Sequence, residues 1–260
     1  MTQTEAMTAE PDVPSVALLD LTDEELAVFD GAEDTLVFYP YLSELGEDDR
    51  RLAMFVALRG LIARGMVQPP EDDVLARMRA SGTMDAKLEV GLNQAVERIL
   101  QMRSGAFRAV IAQRSFDGAD DCCYFYQVNG EIVLEELVES SGLHHFRLLE
   151  SGVLPDTVAR YLNPTGIEGE DGTTERIDAA TAAAGDTPPA MLERLGEATS
   201  FGEFVVRRLR KAAEHPPMFG VFAGPGGLHL TEAEFGTGEP VPVTPISAAT
   251  LRARIADCVR

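Results

Sequence analysis

The sequence predicts an α+β protein in which antiparallel β-meanders pack with helices, arranged as two quasi-repeated halves. Apolar residues recur at a helical period between residues 48 and 70. From residue 107 onward, β-branched and aromatic runs are separated by turn signals, which is typical of antiparallel strands. The order of three strands and a helix occurs at 107–150 and again at 218–260. Such a recurrence indicates a duplicated α+β unit.

Composition and charge limit the class of partner. The chain has 260 residues, of which 45% are hydrophobic and 25% are charged, enough to bury one sizeable core or two small ones. Its formal net charge of -21 repels nucleic-acid phosphates and anionic membranes. We therefore expect a protein partner, and neither a nucleic acid nor a membrane.

The sequence also indicates a compartment. No apolar run approaches the roughly 18 residues of a spanning helix, and the first residues lack the basic region of a secretory signal. The cytoplasm is therefore the expected location. The adjacent Cys122 and Cys123 and the isolated Cys258 form no disulfide pattern, so we expect free thiols.

Charge is distributed unevenly along the chain. Residues 1–49 hold 14 acidic residues and no Lys or Arg, whereas residues 50–114 hold 11 basic residues and 6 acidic ones. The acidic segment is expected to lie over the Arg-bearing helices that follow it. The alternative is that these charges are separate solvated helix faces.

The first half begins with an acidic tail and a short helix. Residues 1–15 are polar, with two prolines, and are expected to be disordered. Thr22 and Glu25 have the spacing of a capping box, which predicts a helix near 22–30. The segment DTLVFYPYL is apolar but contains Pro40, so a short strand or extended piece is expected.

Helices and then strands follow. Predicted helices lie at 48–64 and 71–82, and the segment 84–105 is either one helix or a strand and a helix. FRAVIAQRS, DCCYFYQVNG and EIVLEELVE are predicted strands, with Asn129-Gly130 as a hairpin turn. SSGLHHFRLLESG and LPDTVARYL are predicted helices that close the first half at residue 162.

The second half follows a segment poor in bulky residues. Residues 163–190 are predicted to be a flexible linker or loop, separating an N-terminal half at 16–162 from a C-terminal half at 191–260, unless the two form one continuous domain. The C-terminal half is expected to contain one or two helices before residue 215, a hairpin and a strand. A last helix follows, capped by Ser247 with Leu251 and Ile255 on one face.

Few residues suggest chemistry. His144 and His145, on the predicted helix, lie about 100 degrees apart and have no ligand spacing to any Cys or acidic pair, so structural roles are favoured. The glycine-rich 223–230 precedes a strand, which indicates a hairpin turn rather than a phosphate cradle. We predict no catalytic residue, no metal ligand and no cofactor.

The order of features resembles the EspG family of cytosolic chaperones in mycobacterial and actinobacterial type VII (ESX) secretion. The residues that carry it are the helix ALRGLIARGMV, the helix DDVLARMRASG, the strand approach RSGAFRAVIAQRS, and later MFGVFAGPGGLHL and VPVTP. The resemblance covers most of residues 45–260. It implies a quasi-two-fold α+β fold that recognises the helical tip of a PPE-type substrate. It carries over no individual binding residue.

Three classes of function remain open. The first is a bacterial non-enzymatic cytoplasmic chaperone or adaptor for a helical secretion substrate, with Tyr124, Phe125 and Tyr126 as candidate partner-binding residues. Alternatively, these three aromatic side chains simply pack both sides of a sheet. The second class is an acidic immunity or antitoxin-like protein that masks a basic toxin.

The third class is a winged-helix regulator, in which two helices place four arginines near phosphates. Those arginines are Arg59, Arg64, Arg77 and Arg79. An enzyme would need an unmarked pocket, because no recognised catalytic motif is present in the sequence.

Overall fold

The computed structural model confirms the predicted α+β class. It describes residues 15–30, 36–68, 91–177, 190–209, 216–232 and 240–260. Within those ranges the strands are β1 Ser15–Thr22, β2 Arg108–Phe116, β3 Ala119–Gln127, β4 Ile132–Val138, β5 Leu143–Glu150, β6 Glu175–Ile177, β7 Ser200–Arg208, β8 Met218–Gly224, β9 Gly227–Thr231 and β10 Val241–Pro245. The helices are α1 Asp23–Asp30, α2 Pro40–Glu44, α3 Glu47–Ala63, α4 Gln94–Gly105, α5 Leu154–Leu162, α6 Ala190–Gly196 and α7 Ala248–Val259.

The ten strands form a single antiparallel sheet with a quasi-two-fold order. The order is β1-β5-β4-β3-β2-β7-β8-β9-β10-β6. The central strands β2 and β7 pair over their full length, with Ala112 opposite Phe204 at the midpoint. From that midpoint the chain forms the same succession in both directions: four meander strands, then one extra strand at the edge.

Each half of the sheet has a meander of four strands, whereas three were predicted. The difference arises because two segments predicted to be helical are strands. LHHFRLLE is strand β5 and SFGEFVVRR is strand β7, where helices were predicted. Side chains of β7 alternate between buried and partly buried positions along most of its length. Such alternation with a period of two is what a strand requires, and pairing with neighbours far along the chain outweighs local helix propensity.

One helix follows each meander, and the two lie antiparallel on one face of the sheet. Buried Leu154, Val158 and Leu162 of α5 correspond in order to Leu251, Ile255 and Val259 of α7. Ser247 Oγ accepts a hydrogen bond from the Thr250 amide at 3.2 Å, which confirms the predicted cap of the last helix. The repeat therefore extends from the strands to the helices that cover them.

Helices α1 to α4 cover the opposite face, over the first half of the sheet. Thr22 Oγ1 accepts from the Glu25 amide, and Glu25 Oε2 from the Thr22 amide, so the predicted capping box is confirmed. Pro40 opens α2 instead of interrupting a strand, because proline fits the first turn of a helix. Ahead of α1, residues 15–22 form edge strand β1, which the sequence analysis missed.

The two predicted hairpin turns are present, and residues 175–177 of the predicted linker form edge strand β6. Asn129 Oδ1 accepts from the Glu131 and Ile132 amides in the β3–β4 hairpin, and β8 and β9 are joined by a tight turn at 225–226. Loop 163–174 is held against the start of α7, since Glu168 O accepts from the Ala248 amide at 2.7 Å. The predicted helix 71–82 lies outside the described residues, and the division into halves as domains stays a prediction.

The start of α4 offers a direct test of local stability. Asn93 Oδ1 accepts from the Ala95 and Val96 amides, both at 3.0 Å. We expect Asn93→Ala to lower the free energy of unfolding by about 1 kcal/mol, because two amides of the first turn lose their acceptor. Urea denaturation measures this, with exposed Ser104→Ala in the last turn as the control. An equal effect of both substitutions would show that the cap contributes nothing.

Candidate protein-binding surface

The three aromatic candidates of β3 lie inside the sheet layers. Tyr124, Phe125 and Tyr126 are 3%, 0% and 2% exposed. The two tyrosines face α1 to α4, and Phe125 faces α5 and α7. These positions agree with the alternative that they pack both sides of the sheet. Partner binding by this triplet stays a prediction, and it requires one of the covering helix layers to move.

A fully buried ionic cluster lies beneath the helices on the first half of the sheet. His144 on β5 bonds through Nε2 to Asp23 Oδ1 at 2.7 Å and through Nδ1 to Glu136 Oε1 at 2.8 Å. Glu136 Oε2 forms an ion pair with Arg103 Nε at 3.1 Å and accepts a hydrogen bond from the Tyr126 hydroxyl at 2.9 Å. Asp23 Oδ2 accepts from the Leu42 amide. The cluster thus joins α1, α2 and α4 to three strands.

The cluster shifts the pKa values of its members. Burial alone would lower the pKa of His144, but hydrogen bonds to Asp23 and Glu136 outweigh it and raise the pKa above the ordinary 6.5. Burial would raise the pKa of Glu136, but the charge of Arg103 and the bond to His144 hold it below its usual value. Burial raises the pKa of Tyr126, so its hydroxyl remains a donor.

The two histidines point to opposite faces of β5. His145 contacts Asp20 at 2.9 Å and Glu139 at 3.0 Å near the surface, whereas His144 is fully buried. The two side chains point apart because successive side chains of a strand alternate between its two faces. The helix predicted for this segment was wrong. Both histidines have structural partners, and within the described ranges no group of three or more His, Cys, Asp or Glu side chains could hold a metal ion.

The cysteines are unreactive by burial, and Arg108 beside one cleft has structural partners. Cys122, Cys123 and Cys258 are free, and burial raises the pKa of the Cys122 thiol to about 11, which suppresses the reactive thiolate. One cleft of about 410 Å³ lies between the end of α7 and the β3–β4 hairpin. Arg108 in its wall donates to the Val259 and Arg260 carbonyls and so holds the end of α7 in place.

Apolar side chains are exposed at one end of the central strands β7 and β8, on the face that carries α1 to α4. Leu209 donates its amide to the Phe107 carbonyl, Val205 lies between Ile111 and Met218, and Arg207 lies opposite Ala109. Leu209 and Met218 are 38% and 44% exposed, while Ile111 and Val205 are partly buried. The ring of Phe107 lies by the Arg108 guanidinium and lines the cleft at the end of α7 instead. We call five residues the β2–β7–β8 surface: Ile111, Val205, Arg207, Leu209 and Met218.

The sequence analysis missed this surface for an identifiable reason. Val205, Arg207 and Leu209 share a face only if the segment is a strand, and it was predicted to be helical. The available signal was the run SFGEFVV, in which phenylalanine and valine dominate. The pairing of β7 with β2, about 100 residues earlier, could not be inferred from composition.

The acidic N-terminal segment does contact an Arg-bearing helix. Arg64 at the end of α3 forms an ion pair with Glu25 at 2.5 Å and donates to the Asp20 carbonyl. Arg64 is therefore engaged within the chain, whereas Arg59 is exposed on α3. Arg77 and Arg79, the other two arginines of the winged-helix hypothesis, lie outside the described residues.

Comparison with known proteins finds only weak structural likeness. No protein-family model and no curated protein matches the chain. The type VII secretion system chaperone EspG5 of Mycobacterium tuberculosis, solved in complex with a PE25-PPE41 dimer, shares 11% identity over 74% of this chain and 86% of that one, with a TM-score of 0.46. HtdX of the same organism shares 14% identity over 90% and 99%, with a TM-score of 0.15. No helix in the described ranges is long and apolar enough to cross a membrane.

Proposed function

We propose that this chain is a non-enzymatic chaperone or adaptor that holds an amphipathic helix of a partner protein on the β2–β7–β8 surface. The observation that carries the proposal is the exposure of Leu209 and Met218 at the ends of the central strands β7 and β8, beside partly buried Ile111 and Val205. Scattered exposed apolar residues are normal on a protein surface. Two at the ends of paired strands, with partly buried apolar residues beside them, form the contiguous kind of patch that marks an interaction site.

The quasi-two-fold order of the sheet indicates what would cover this surface. In the first half, α4 lies on this face with Val96 and Ile99 fully buried, and its Arg103 lies over the Tyr126 ring of β3. Strand β8 corresponds to β3 by the same two-fold relation. Arg103 also pairs with Glu136 of β4, which corresponds to β9, so the position related to that of α4 lies over β8 and β9, beside Met218.

Within the described residues, the second half has no helix equivalent to α4 on this face. Residues 23–105 supply α1 to α4 ahead of β2, whereas residues 178–199 precede β7 and contain α6 in their described part. Arg207, exposed on this face at the end of β7, favours acidic groups beside the apolar face of the partner helix. A helical substrate of type VII secretion is the partner that we propose to test first.

The test combines affinity capture with surface variants. Tagged wild-type protein and Met218→Asp are used to capture partners from native cytosol at low and high salt, with mass spectrometry of the retained proteins. We expect a helical protein to be retained by the wild type at both salt concentrations and to bind Met218→Asp about 30-fold more weakly, because an ionised carboxylate would be buried in an apolar contact. Binding of the purified partner to each variant gives the affinity ratio.

Leu52→Asp is the matched control, since Leu52 is 64% exposed on α3, away from this surface. Equal binding by Met218→Asp and the wild type would exclude this surface as the interface. A basic protein that is captured at low salt and lost at high salt would instead support the masking of a basic toxin, for which the net charge of -21 is the favourable feature.

A further inference from the structure

The buried cluster around His144 has a property that the proposed function does not use. Four side chains of the cluster are ionisable and almost wholly removed from water: those of Asp23, Glu136 and His144 are 0% exposed, and that of Arg103 is 9% exposed. Both ring nitrogens of His144 face carboxylate oxygens, at 2.7 and 2.8 Å. A neutral imidazole has only one N–H and could donate to only one of them.

The charges of the cluster also indicate that the His144 ring is protonated on both nitrogens. Asp23 and Glu136 contribute two negative charges, and Arg103 contributes one positive charge. The buried group is electrically neutral only when His144 carries the second positive charge. Without it, one negative charge would remain uncompensated in a region of low dielectric, which is costly.

We propose that His144 is held as an imidazolium that latches the N-terminal unit, formed by β1, α1 and α2, onto the sheet, and that loss of its proton loosens this unit. Asp23 is the first residue of α1, and its other oxygen holds the Leu42 amide of α2. A single residue of β5 therefore controls contacts of two helices. Strand β1 leads directly into α1 at Asp23 and pairs with β5 along its own length.

The groups facing His144 from each neighbouring element are accounted for. Beside Asp23, α1 presents Glu25, which is paired with Arg64 of α3. The β4 and α4 groups are Glu136 and Arg103, and the other neighbours among the described residues are neutral. Those neutral neighbours are Tyr124, Tyr126 and Cys122 of β3, Phe146 of β5, and Tyr39, whose ring centroid lies 5.6 Å from that of His144.

The direction of the pH dependence follows from the raised pKa of His144. A group whose pKa is higher in the folded state contributes stability that is fully present below its unfolded value of 6.5 and is lost as the pH rises through its folded value. The N-terminal unit should therefore be most firmly held at mildly acidic pH. It should loosen as the pH rises above 6.5 and through the higher pKa of the folded state.

The test has two parts, and the first requires no variant. NMR titration of the wild-type imidazoles is expected to show His144 still protonated at a pH where a free histidine is neutral. Hydrogen exchange, corrected for the intrinsic effect of pH, is expected to show peptides of 15–30 losing protection as the pH rises from 6 to 9, ahead of peptides from β2 and β3. A His144 ring that is neutral at pH 6.5, or equal loss of protection in both regions, would overturn the proposal.

Variants then separate the latch from general alkaline destabilisation. His144→Gln keeps hydrogen-bonding groups but cannot become positive, so its protection at 15–30 is expected to be low and independent of pH over this range. His145→Gln is the matched control on the neighbouring residue of β5, whose side chain is partly exposed, and it should keep the wild-type pH dependence. If His145→Gln removed that dependence, the surface pair rather than the buried cluster would be responsible.

Discussion

Arg103→Met is expected to lower the free energy of unfolding by about 3–5 kcal/mol. Arg103 Nε lies 3.1 Å from Glu136 Oε2, and the glutamate side chain is fully buried. Methionine fills a similar volume but leaves Glu136 and Asp23 with only His144 to balance two negative charges. Removing one partner of a buried ion pair has a cost in this range because the remaining charge stays in a low dielectric. Urea denaturation at neutral pH measures the change.

A second arginine provides the control for that experiment. Arg254 pairs with Glu232 on the surface, where both side chains are almost half exposed. Arg254→Met should change the free energy of unfolding by less than about 1 kcal/mol, since water and salt screen such pairs. The double variant Arg103→Met/Glu136→Gln should recover part of the loss, because it removes the uncompensated charge. Equal effects of Arg103→Met and Arg254→Met would contradict the role assigned to the cluster.

Local sequence patterns were sufficient to predict strands β2 to β4 and the caps of helices α1 and α7. Alternating apolar residues and the Asn129-Gly130 turn located β2, β3 and β4, and the Thr22–Glu25 spacing located α1. In each case the stabilising partners lie within a few residues or in the adjacent strand of a hairpin. Interactions of this range are encoded in residue type and spacing.

Long-range pairing explains what the sequence could not reveal. Edge strand β1 pairs with β5, and the Asp23–His144 bond joins residues 121 positions apart. No spacing rule connects residues at that distance. In the predicted helix, no partner could be identified for His144. In the strand that is present, it faces Glu136 on the adjacent β4. One error in secondary structure thus concealed the cluster and the fourth strand of the repeat.

The junction between β2 and β7 is where the second large effect is expected. Phe204 lies opposite Ala112 at the midpoint of this pair, is 0% exposed, and stacks on Phe219 with ring centroids 4.5 Å apart. We expect Phe204→Ala to lower the free energy of unfolding by about 3–5 kcal/mol, because it leaves a cavity beneath α5 and α7. Phe204→Leu should cost less than about half of that, since most of the volume is kept.

Phe201 is the matched control on the same strand. It lies on the other face, is only partly buried, and contacts Phe222 at a centroid distance of 4.7 Å. Phe201→Ala should cost about 1–2 kcal/mol, because water already reaches part of the ring and can fill the space left. Similar losses for the two alanine variants would mean that the core does not lie on the α5–α7 face at this junction.

The shape of the unfolding transition of Phe204→Ala also tests whether the two halves of the sheet unfold together. The core cluster on this face includes Phe125 of the first half and Val221 of the second, together with Phe204 between them. Because one set of contacts crosses the β2–β7 junction, a single transition at lower urea concentration is expected, with both halves losing structure together. Two separate transitions would show that the halves fold independently, and the quasi-two-fold relation would then describe two domains joined by a strand pair rather than one cooperative sheet.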